Sequence, residues 1–208
     1  MPWHDRLIGT IDQGLRTLAT RTVPARPSPA HEVPESTLTD AERRSSAALL
    51  RVNHAGEIAA QALYSGQALV ARSERTREHL AAAANEEHDH LAWCADRLAE
   101  LGGRTSLLDP LWYLGSFCVG VAAGSASDRS SLGFVTETER QVEAHLHDHL
   151  GRLPAADRKS RAILSRMAAD EAHHGTTASL AGGAPVPAAV RSCMRLGGEL
   201  LRRIALVV

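Results

Sequence analysis

The stretch MAADEAHHG, residues 167–175, decides the fold. Its alanines and methionine read as the buried face of a helix, yet it carries Glu171, His173 and His174. Outward from it, Leu164, Met167, Glu171, His174 and Ala178 recur in steps of three and four, so an acid and an imidazole stand where leucine is expected. His173 lies off that stripe. The same replacement occurs on three further segments. Leu80, Ala84, Glu87, Leu91, Cys94 and Leu98 centre on Glu87; Val135, Glu139, Val142, Leu146 and Leu150 surround Glu139; Leu50, His54, Glu57, Gln61 and Tyr64 form a stripe with a polar middle. Four helices that each aim one carboxylate inward predict an all-α four-helix bundle.

A buried carboxylate must be neutralised, paired or bound to a cation, and four together also repel one another. Two of them carry a histidine three residues on, Glu87 with His90 and Glu171 with His174, and such pairs project from one helix face. Glu57 and Glu139 do not. Two lone glutamates and two Glu-x-x-His pairs form the ligand set of two-metal carboxylate bundles. A single Glu-x-x-His match is weak, but the order is specific: Glu57 precedes Glu87 by 30 residues and Glu139 precedes Glu171 by 32. This repeated hairpin plan suits a two-metal site with pseudo-twofold symmetry. An oxygen-rich set with two imidazoles favours iron or manganese over zinc, and points to chemistry on dioxygen or peroxide. The competing reading of NEEHDH, residues 85–90, as a solvated face fails because Glu87, unlike Glu86, is in phase with Leu80, Leu91 and Leu98. The alternate spacing of His145, His147 and His149 predicts that most are exposed. His54 and Tyr64 read as satisfied core polar groups.

The chain of 208 residues is long enough for one core, read as a domain over residues 39–208 behind an extension over 1–38. That extension combines an amphipathic helix over about the first twenty residues, with Trp3, Leu7, Ile11, Leu15 and Leu18 in phase, and a proline-rich linker, VPARPSPAHEVPES. Thr39 and Glu42 form a capping-box signature. The predicted helices run from there to Arg72, from Ser73 to Leu101, a short one after Asp109-Pro110, from Ser130 to Leu150, from Ala155 to Leu180, and over the remainder. With 23 basic and 24 acidic residues, no global field calls for nucleic acid. Cys94, Cys118 and Cys193 read as small core residues of a reducing compartment. No apolar run reaches the roughly 18 residues that cross a bilayer. The start has no apolar core of a signal peptide, and Asp5 and Asp12 weigh against a transit peptide.

With those residues in place, the chain resembles the demethoxyubiquinone hydroxylase family of ubiquinone-biosynthesis monooxygenases from about Leu49 to the C-terminus. LLRVNHAGEIAAQALYSGQ, residues 49–67, is close to that family's Arg-Val-x-His-Ala-Gly-Glu opening and carries Glu57. NEEHDHL holds Glu87 and His90; PLWYLGSFCVGVAAG, residues 110–124, is similar to the family's glycine-rich segment; DEAHH, residues 170–174, holds Glu171 and His174. In FVTETERQVEAHLHDHL, residues 134–150, the family's glutamate six residues before a histidine matches Glu139 and His145, with Leu146 where some members have tyrosine. The resemblance implies a ferritin-like bundle with two additional apolar or amphipathic helices. It further implies two iron ions, ferrous when reduced, held by Glu57, Glu87, His90, Glu139, Glu171 and His174, with Tyr64 and His145 beside them or on the substrate side. The implied reaction is hydroxylation of a polyprenylated methoxy-benzoquinol ring with dioxygen and an external reductant such as NAD(P)H.

A polyprenyl substrate implies a membrane surface, here the cytoplasmic face of a bacterial inner membrane or a mitochondrial inner membrane. Leu111, Trp112, Leu114, Phe117 and Val121 offer apolar area, and Arg191, Arg195 and Arg202 on the last helix suit anionic lipid. The resemblance also allows for partner proteins of ubiquinone biosynthesis and a homo-oligomer. The alternatives are another ferritin-like protein, either a manganese catalase or a rubrerythrin-like peroxidase, and non-enzymatic iron storage.

Overall fold

In the computed structural model, which describes residues 3–19 and 23–208, the regular structure is helical and no strand occurs among the described residues. The order is α1 (Trp3–Ala19), α2 (Asp40–Val70), α3 (Glu74–Glu100), α4 (Asp109–Ala126), α5 (Asp128–Arg152), α6 (Arg158–Leu180) and α7 (Ala188–Ala205). The predicted ends of the first helix, at residues 1–2 and 20, lie outside the described residues. The Thr39–Glu42 capping box opens α2 as read from the sequence. Ser127 caps α5, which therefore starts two residues before the predicted Ser130. Asp157 accepts the N–H of Ser160 and holds the start of α6 at Arg158, beyond the predicted Ala155. Gly102, at φ 71°, takes the left-handed turn that ends α3.

The bundle consists of two hairpins, α2 with α3 and α5 with α6, joined by α4. Across the bundle α3 meets α6 and α2 meets α5. Two apolar clusters fill it. One gathers Leu50, Cys94, Leu98, Leu146, Leu164 and Met167; the other gathers Tyr64, Leu80, Ala84, Val135 and Ala178. On every helix the inward glutamate falls between a residue of the first cluster and one of the second, so the carboxylates form a polar layer closed above and below by hydrocarbon.

Outside the bundle, α1, α4 and α7 all rest on α2. The α2–α4 contact is close because glycines meet backbone: a Cβ on Gly120 would come within 2.1 Å of the Leu63 carbonyl oxygen, and one on Gly66 within 2.4 Å of that of Phe117. Ala205 of α7 packs on Val52 and Ala55. α1 meets α4 where Gly14 abuts Tyr113, leaving Trp3, Ile11 and Leu15 facing outward. One expectation needs correction: Cys94 is buried, but Cys118 and Cys193 are exposed, because they fall on the outer faces of α4 and α7. Residues 23–36, read from the sequence as a linker, lie along α3 as a strap. Asp89 accepts the N–H groups of Ala25 and Arg26, and Arg97 pairs with Glu35.

Candidate metal centre

The six predicted ligand residues are all buried and come together in two overlapping groups. Glu57, Glu87, His90 and Glu171 make one; Glu87, Glu139, Glu171 and His174 make the other; within each, one potential ligand atom per residue lies within 4.8 Å of the rest. Glu87 and Glu171 belong to both. His90 Nδ1 is 3.1 Å from Glu87, 3.2 Å from Glu171 and 3.7 Å from Glu57. His174 Nδ1 is 3.4 Å from Glu171 and 3.7 Å from Glu87. Both imidazoles thus present Nδ1 to the carboxylates.

The outward nitrogens are held in a reciprocal way. His90, on α3, donates from Nε2 to Asp170 on α6 at 3.1 Å, while His174, on α6, donates from Nε2 to Glu86 on α3 at 2.9 Å. A proton held on Nε2 leaves the Nδ1 lone pair free to bind a cation. Each supporting acid immediately precedes a clustered glutamate, in Glu86-Glu87 and Asp170-Glu171. The sequence reading missed both, although that doubled acid in front of each Glu-x-x-His pair is a signal that could have found them.

The cluster fits a cation pair on its own chemistry. Glu87 Oε1, Glu139 Oε2, both oxygens of Glu171 and His174 Nδ1 are buried without a hydrogen bond. Burial, and then the negative charge of Glu171, push the carboxyls of Glu87 and Glu139 well above their ordinary range. Burial pushes Glu171 the same way, but the nearby imidazoles of His174 and His90, 3.4 and 3.2 Å away, outweigh it and hold that carboxyl below its ordinary range. The carboxyls therefore cannot all ionise unaided, and two divalent cations would remove the conflict. Tyr64, fully buried, donates its hydroxyl to Glu139. His54 sits 3.4 Å from Asp109 and outside both groups.

The histidine triplet departs from expectation. His147 is exposed, but His149 is buried and His145 largely so, because residues four apart share a face. Their rings meet edge to face at 4.7 Å, and both donate to the Asn53 carboxamide oxygen at 2.9 Å. Burial, then mutual proximity and Arg202, hold His145 down to about 3; burial and Arg152 hold His149 to about 4. Both are neutral donors. They line a groove of about 540 Å³ between α5 and α7, whose walls carry Arg140, Arg152, Arg195 and Arg202.

Four inward carboxylates and two imidazoles inside two helix hairpins define a ferritin-like carboxylate bundle. Among solved structures, a dodecameric thioferritin of Bacteroides fragilis shares this fold with TM-score 0.55 and 21% identity, over 66% of this chain and 83% of that one. Residues 44–205 match the family described as ubiquinone biosynthesis protein COQ7, and the chain belongs to that family. It is 54% identical over 205 residues to the 3-demethoxyubiquinol 3-hydroxylase of Nitrosospira multiformis, covering 99% of each chain. It is 56% identical over 203 residues to the enzyme of that name from Cupriavidus necator, covering 97% of this chain and 98% of that one.

Proposed function

We propose that this protein is a two-iron monooxygenase that hydroxylates the ring of a polyprenylated demethoxyubiquinol with dioxygen. The observation that carries the reading is the pair of groups sharing Glu87 and Glu171, in a family whose relatives are named for that hydroxylation. Glu57, Glu87, His90, Glu139, Glu171 and His174 are the ligands in this reading. Bound iron would supply the reduction of dioxygen and the transfer of one oxygen atom to the ring, with electrons from an external donor such as NAD(P)H. The chain supplies the rest. Asp170 and Glu86 orient the imidazoles, Tyr64 holds Glu139, and the two apolar clusters exclude water. His145, whose Nε2 proton is committed to Asn53, keeps Nδ1 as an acceptor for a quinol hydroxyl entering by the groove between α5 and α7.

The polyprenyl tail places the enzyme at a membrane surface in this reading, the cytoplasmic face of a bacterial inner membrane. No helix among the described residues is long and apolar enough to cross a bilayer. Exposed Trp3, Ile11 and Leu15 on α1, Leu111 and Leu114 on α4, and Leu196 and Leu200 on α7 support peripheral attachment. Residues 39–208 form the catalytic domain of this reading.

The test is anaerobic iron loading followed by turnover with demethoxyubiquinol. About two irons per chain and one labelled oxygen atom from dioxygen in the product, read by mass spectrometry, are expected. Disproportionation of peroxide without quinol or dioxygen would instead indicate a catalase.

A further inference from the structure

Near its start the strap is tied to both α3 and α6 through the Arg26 side chain. Arg26 donates from Nε to Asp89 Oδ2 at 2.6 Å and from Nη1 to Asp170 Oδ2 at 3.0 Å, joining carboxylates of α3 and α6. Its guanidinium lies over Trp93, 5.1 Å from the ring centroid, and Trp93 Nε1 donates to the Arg26 carbonyl at 3.3 Å. A planar fork that also stacks on an aromatic ring satisfies this arrangement; an ammonium would not. Asp170 Oδ2 is also the oxygen that accepts from His90 Nε2. Two hydrogen bonds therefore connect the strap to an imidazole whose other nitrogen faces the carboxylate cluster. Arg166 touches Asp170 as well, but from one turn away on α6, so it cannot tie α6 to α3.

The other half of the centre has no such clamp. Glu86, which supports His174, is 46% exposed and makes no ion pair with arginine or lysine among the described residues. Two halves built alike thus differ in what stands behind them.

We propose that Arg26 is a positioning residue for the metal centre: it fixes Asp170, and through it His90, so that the strap sets the affinity of the ion on the His90 side. This rests on the two-metal reading above. Arg26 could instead merely hold the strap down, and Glu35 allows the two roles to be separated. Glu35 fastens the far end of the same strap to Arg97, at 2.8 and 3.2 Å, without touching any residue of the centre.

The experiment titrates metal-free full-length protein with cobalt(II) under anaerobic conditions, reading equilibrium dialysis and the ligand-field spectrum. Wild type, Arg26→Met and Glu35→Gln are compared. Arg26→Met should weaken one of two cobalt sites about 10-fold, the range seen when groups behind a metal-bound histidine are changed, and should alter the spectrum of that site alone. Glu35→Gln should lower the thermal midpoint and leave both affinities and the spectrum unchanged. If far-ultraviolet circular dichroism finds Arg26→Met unfolded, Arg26→Gln is read by the same titration and against the same criteria. Wild-type affinities and spectrum in the Arg26 variant, or equal losses in both variants, would overturn the proposal. Wild type that binds no cobalt would instead sink the two-metal reading itself.

Discussion

Glu171 and Asp170 are neighbours with opposite duties, one facing the cluster and the other holding an imidazole from behind. Glu171→Ala should reduce bound iron from about two per chain to less than half of that and abolish hydroxylation. The metal-free variant should also melt below metal-free wild type, since it leaves the buried imidazoles of His90 and His174 without the carboxylate they stabilise. Calorimetry with and without metal checks this. His145 and His149 each add a share to the response to acid. Their folded-state values lie below the ordinary 6.5 of histidine, so the unfolded chain binds more protons there. Their contribution to stability is complete above pH 6.5 and is lost as pH falls from there toward 4, at about 1.4 kcal/mol per pH unit for each histidine. His145→Gln should remove one histidine's share of that slope in denaturant unfolding. The clustered glutamates were legible because each interrupts an apolar stripe. Glu86 and Asp170 were not, because an acid off the stripe looks solvated until the partner helix is in place. His149 was missed because the alternation with His147 concealed its pairing with His145.

At the level of elements, the α2–α4 crossing depends on backbone approaching backbone. Gly120→Ala puts a methyl group against the Leu63 carbonyl, and the helices must separate; a loss of about 1–3 kcal/mol is expected, measured as a shift in denaturant midpoint. The helices themselves were readable from apolar period and capping residues, with the start of α6 displaced only because Asp157 caps better than the residues before it. The strap was read as a linker for a sound reason. Its prolines forbid helix, and what binds it is a set of polar contacts on α3 and α6 that leave no periodic trace in residues 23–36. The outward stripe of α1 was visible as a stripe, whereas its direction depends on Gly14 fitting against Tyr113.

For the whole molecule, three peripheral helices leave apolar side chains facing outward on a chain of nearly zero net charge. Leu111→Glu with Leu114→Glu should reduce co-sedimentation with anionic vesicles several-fold while leaving the thermal midpoint within a few degrees, because both side chains are already exposed. Retained vesicle binding would place the attachment elsewhere. Removing metal should lower the midpoint of the whole bundle, since a ligand that binds only the folded state stabilises it. The reciprocal support of the imidazoles extends this to mechanics. His90 leans on α6 and His174 leans on α3, so sliding either helix along the other by a single turn would part both contacts together. A metal-loaded centre would therefore act as a latch on register between the hairpins, and amide hydrogens in the middle of α3 and α6 should exchange faster, in both helices alike, once the ions are withdrawn.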